Sequence, residues 1–171
     1  AVDARVTRFV EAVDRVRSAL PAWADKADLT GLVTEVRRIA DLRKHTDALT
    51  IEAEASFFSY TQIIQQMIRT ADNGTETIRE PSIARALDAY DHLMQGKEAA
   101  GQERAVGSLI LAHGRADLDL YRRFMELGAT QKVMFDAYAL TAPNGLGAVL
   151  RETLGGETVK RHEAVRWWIV E

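Results

Sequence analysis

The chain of 171 residues contains no cysteine and only three prolines, and its formal net charge is −3. Without cysteine there are no disulfides and no thiolate metal sites. The near-neutral charge gives no reason to expect nucleic acid or an anionic membrane surface as partner. No run approaches the roughly 20 consecutive apolar residues that span a bilayer, and no signal peptide is visible. Alternating strand patterns are missing. Groups that do chemistry are sparse too. The four histidines, His45, His92, His113 and His162, fall at no HxxxH or ExxH spacing, so the carboxylate–histidine metal sets of helical bundles are missing. His92 follows Asp88 by one turn, the spacing of a surface pair. There is no GxSxG, no phosphate loop and no dinucleotide fingerprint, and Gly145-Leu146-Gly147 reads as a loose helix start. These absences argue against an enzyme, and against a metal or a cofactor.

What is present is helix pattern. Hydrophobic residues are 47% and charged residues 27%, enough for one domain or two small stacked bundles. Residues 2–20 carry Val2, Val6, Phe9, Val10, Val13, Val16 and Leu20 on one face, with Pro21 near the end. Asp28 or Thr30 can cap the next helix, whose stripe is Leu29, Leu32, Val33, Val36, Ile39, Ala40 and Leu42. Thr50 is a plausible start for a third, with Ala53, Phe57, Tyr60, Ile64 and Met67 on its apolar face and a break at 72–74. A helix from about Ala116 shows Leu118, Tyr121, Phe124, Met125, Phe135 and Tyr138, mildly interrupted by Gly128 and ended at 143–145. A short helix from Leu146 and a last segment from Glu157 follow. Trp167 and Trp168 are adjacent and cannot both face inward; one is expected to pack, the other to lie at a bundle end. The pattern predicts an all-α fold, an elongated antiparallel helical bundle.

The longest stretch runs from Pro81, suited to a first helical position, to Gly114, suited to a C-terminal cap. Ile83, Leu87, Tyr90, Met94, Lys97, Gly101, Arg104, Ser108 and Leu111 recur at steps of three and four and are expected to face the core. The stripe is apolar at its ends and cationic in its middle. Lys97 and Arg104 fall within about 20° of each other, two turns apart. Gly101 between them leaves room for a ligand or a close helix, and Ser108 adds a hydroxyl one turn on. Glu98 and Glu103 lie on opposite flanks. An unpaired buried cation is costly, so something must compensate. One reading is a carboxylate from a neighbouring helix, a structural ion pair. The other is a small planar anion held by the guanidinium fork. Among Arg37, Arg38, Arg43 and Lys44, a solvated basic run, Arg43 alone is placed to turn inward beside Leu42.

The motifs YTQIIQQMI at 60–68, KEAAGQERA at 97–105, FDAYA at 135–139 and the terminal WW resemble the nitrate- and nitrite-sensing (NIT) domain family, and LRKHTDA at 42–48 agrees. The resemblance covers nearly the whole chain as one sensor domain, residues 1–171. It implies two antiparallel helical bundles arranged end to end and sharing long helices, which serve as the input module of bacterial chemoreceptors, sensor kinases and related receptors, with nitrate or nitrite bound between helices by arginine. The arginine of the ER-A element matches Arg104. The family's first helix usually bears an E-R-G element, absent here; that helix is expected either to precede residue 1 or to be lacking in this member. The expectation is therefore an extracytoplasmic, periplasmic sensor domain of a membrane-anchored receptor, a homodimer that binds nitrate or nitrite through Arg104, with Lys97, Gly101, Ser108 and Arg43 around it. The rival is an interaction bundle in which Arg104 is paired to an acid.

Overall fold

A computed structural model of the protein describes residues 2–75 and 78–170. Among the described residues there are eight helices and no strand. The chain divides into two compact units, residues 1–79 and 80–171. Each described helix lies within one unit, so none is shared between bundles.

The first unit holds α1 (Val2–Ala19), α2 (Pro21–Lys26), α3 (Leu29–Asp47) and α4 (Ala53–Thr75). Pro21 separates two helices rather than ending one. Leu20 before it is driven out of the helical region, to φ −136° and ψ 63°, because the proline ring crowds the preceding residue. Asp28 caps α3 as anticipated, its carboxylate accepting from the Gly31 N–H at 3.1 Å. A Cβ at position 31 would collide with that carboxylate, so the cap needs glycine there. Val13, Ala24, Ala27, Leu29, Leu32, Val33, Val36 and Ile63 form the core, with Phe9, Trp23 and Met67 packed against it. The side chain of Val2 lies outside the described residues. Thr50 does not start α4. Its hydroxyl instead donates to the His45 carbonyl at 3.3 Å, closing the end of α3, and α4 begins at Ala53 and runs through the 72–74 stretch to Thr75.

The second unit holds α5 (Pro81–His113), α6 (Leu118–Thr141), α7 (Leu146–Leu154) and α8 (Glu157–Val170). Gly114 ends α5 in the left-handed conformation, φ 64°, and the Asp117 carboxylate caps α6 by accepting from Leu120 N–H at 2.8 Å. Helices α5 and α6 run antiparallel and pack most closely of all. The contact face of α5 is Ala89, Gly96, Ala99, Glu103, Val106, Gly107 and Ile110. Its small residues set the approach: a Cβ on Gly96 would stand 2.6 Å from the Phe135 ring, and one on Gly107 3.1 Å from Phe124. The stripe expected to face the core is therefore the wrong face. Ile83, Tyr90, Lys97, Arg104, Ser108 and Leu111 are exposed. The larger apolar side chains suggested an inward stripe, whereas burial follows the glycines and alanines that let two aromatic rings sit against the helix backbone.

Gly147 seats α7 on Ala139 of α6. Helix α8 turns Val159, His162, Arg166 and Ile169 inward, none of them fully buried. Both tryptophans lie on the remaining arc, Trp167 63% and Trp168 69% exposed, so neither packs into the unit. No helix among the described residues is long and apolar enough to cross a membrane.

Candidate functional site

The cationic stretch of α5 lies in the open. Lys97, Arg104 and Ser108 are exposed and Gly101 is half-buried, with nothing within 4 Å of where its Cβ would be. Among the described residues neither Lys97 nor Arg104 has an ion-pair or hydrogen-bond partner for its side chain. The Ser108 hydroxyl donates to the Arg104 carbonyl at 2.8 Å, leaving its oxygen as an acceptor. Glu98, on the flank, accepts from Gln102 Nε2 at 2.9 Å. Burial raises its carboxyl pKa, and the Gln102 hydrogen bond offsets part of that. These residues share one α5 face whose nine positions from Ile83 to Leu111 keep a strict 3.5-residue period, the repeat that lies along a second helix.

Arg43 stands apart in the first unit. It is half-buried on α3 and is not without a partner. The rest of its basic run behaves as a solvated face: Arg38 pairs with Glu35 at 2.6 Å and Lys44 with Asp41 at 2.8 Å, all four side chains substantially exposed. The cleft at the α5–α6 turn is lined by His113, Arg115, Ala116, Asp117 and Leu120 and includes none of Lys97, Gly101, Arg104, Ser108 and Arg43.

The buried ion pair of the second unit belongs to Glu103, one residue before Arg104. Its side chain is 0% exposed. Arg166 Nε donates to Glu103 Oε1 at 2.5 Å and Arg166 Nη2 to Oε2 at 2.7 Å, a two-pronged guanidinium–carboxylate pair. Gln131 on α6 completes it: its Nε2 donates to Glu103 Oε2 at 3.2 Å, and its Oε1 accepts from Arg166 Nη2 at 3.1 Å. Position 128 adjoins the cluster: a Cβ there would stand in ordinary contact, 3.4 Å from Glu103 Oε1 and 3.8 Å from Arg166 Nε. Periodicity could have found Glu103, which falls on the same side of α5 as Ala99, Val106 and Ile110. Nothing local links it to Gln131 or Arg166. His92 also turns inward rather than pairing with Asp88. It is half-buried, with Nδ1 shut off from solvent and unpartnered.

Among the described residues, then, the second unit presents an unpartnered arginine and lysine on one exposed helical seam. Comparison with known proteins gives the family. The nitrate- and nitrite-sensing family matches over residues 1–166, and the chain belongs to it. It is also 32% identical over 146 residues to the nitrate regulatory protein of Klebsiella oxytoca, an alignment covering 83% of this chain and 36% of that protein. The chain thus spans about a third of the relative's length. No solved structure matches.

Proposed function

We propose that the chain is the ligand-binding input domain of a bacterial signalling protein, and that it binds nitrate or nitrite at Arg104. The observation that carries this reading is the state of Arg104: an exposed guanidinium on a helical seam, with no acid against it. The ion-pair alternative required a carboxylate there, and the carboxylate of this region, Glu103, is turned to the other side and engaged with Arg166. Family membership and the regulatory relative supply the ligand class.

The chemistry suits a small planar oxyanion. The guanidinium offers a flat donor fork, Lys97 a second positive charge two turns away on the same face, and Gly101 the clearance between them. On an open surface such a site is weak, because water competes for every donor. The 3.5-residue period of the seam fits a second helix, supplied from outside the described residues, which closes the site and brings a further cation. The anion then relieves repulsion between facing cations, so the helices shift on binding and the shift passes to an output module. Only a difference in anion affinity between the two arrangements can drive this. The wider placement as a paired, periplasmic module of a membrane-anchored receptor rests on the family's occurrence in chemoreceptors and sensor kinases. Calorimetric titration of the full-length protein with nitrate, nitrite, chloride and acetate tests the reading. Saturable binding of nitrate or nitrite in preference to the other two is expected, and equal or absent binding of all four would overturn it.

A further inference from the structure

We infer that the Glu103–Gln131–Arg166 cluster is the coupling that carries occupation of the Arg104 face of α5 to helix α8; this rests on the reading of Arg104 as the anion site. Glu103 and Arg104 are neighbours in the chain, about 100° apart around a stiff helix, so any roll of α5 imposed at Arg104 moves Glu103 with it. Glu103 is the residue that α5 uses to grip α8. Its two oxygens take both prongs of Arg166, and Gln131 of α6 ties the same two groups together. Elsewhere α8 holds by the half-buried Val159, His162 and Ile169, with no fully buried residue and with its tryptophans in solvent. Among the described residues the Arg166 fork is the directional, hydrogen-bonded contact that α8 makes with the other helices of the unit.

That contact is suited to switching rather than gradual yielding. A guanidinium–carboxylate fork keeps both hydrogen bonds only over a narrow range of angles. The carboxylate is wholly buried, so water does not reach it to soften a partial break. Such a pair is either engaged or broken, the kind of bistable element through which small shifts become helix movements.

The test is hydrogen–deuterium exchange of α8 amides in the full-length protein, with and without sodium nitrate, beside calorimetry on the same samples. Wild-type protein should show a change in α8 exchange of about fivefold or more on saturation, the size usual for linked sites. The Glu103→Gln/Arg166→Met double variant removes both charges together and so spares the fold. It should still bind nitrate, with its affinity altered by no more than that same factor, while the α8 response falls below about twofold. Circular dichroism confirms that the variant is folded; should it not be, Arg166→Lys, which keeps the charge and loses the fork, replaces it with the same expectation. An undiminished α8 response in the variant, or no response in wild type that binds nitrate, overturns the coupling and leaves the anion site standing. Failure of wild type to bind nitrate overturns the anion site itself.

Discussion

Arg166→Met is the substitution that the second unit should tolerate least. It removes two charge-assisted hydrogen bonds to Glu103 and the one to Gln131 Oε1, and leaves a fully buried carboxylate with only the Gln131 N–H. Bonds to charged groups contribute about 1.5–3 kcal/mol each, and stranding one partner of a buried pair costs about 3–5 kcal/mol. Arg166 is itself 29% exposed, so solvent screens part of the pair and the lower end applies, about 3 kcal/mol. Adding Glu103→Gln to the same protein should recover most of that loss, to within about 1 kcal/mol of wild type, since a neutral amide facing methionine no longer strands a charge. Urea denaturation followed by circular dichroism and by tryptophan fluorescence measures this, the two probes together separating the transitions of the two units. The reasoning fails if Arg166→Met costs under about 1 kcal/mol, or if the double variant is as unstable as the single one.

Other outcomes follow from the same structure. Gly96→Ala should destabilise by about 1–3 kcal/mol, because the added methyl meets the Phe135 ring, whereas Gly101→Ala should stabilise by up to about 1 kcal/mol, having nothing to meet; parallel urea titrations check the contrast. Arg104→Ala, at an exposed position without a partner, should leave stability within about 0.5 kcal/mol of wild type by the same titration. Glu98 has a folded pKa raised by burial, so the folded state holds its proton more tightly than the unfolded chain. Stability should fall as pH rises from the ordinary glutamate range through that raised value, and Glu98→Gln should flatten the fall and raise Tm near neutral pH while changing little in acid. Thermal melts at a series of pH values show which.

Much of the fold was legible because helix ends announce themselves. Pro81 and Gly114 bracketed α5, and Asp28 capped α3, through side-chain and backbone constraints that act within a few residues. The inward face of α5 was not legible in the same way. Both of its faces carry a 3–4 repeat: one has large apolar residues and cations, the other mostly glycine and alanine with Val106, Ile110 and a single glutamate. Size favoured the first, but close approach by Phe124 and Phe135 favours the second. The same error concealed Glu103. Its partners lie 28 and 63 residues away, on helices whose meeting only the folded unit reveals. Arg104 was singled out by its place on the α5 stripe and by its match to the KEAAGQERA motif, and the structure leaves it in the open, apart from the ion pair beside it.

The central claim is tested most directly by the nitrate affinity of full-length protein carrying Arg104→Ala or Arg104→Lys, measured by calorimetry against wild type. Losing the guanidinium fork should weaken nitrate binding by about tenfold or more in both variants, while folding is unchanged. Nitrate binding by Arg104→Ala with wild-type affinity would contradict the account.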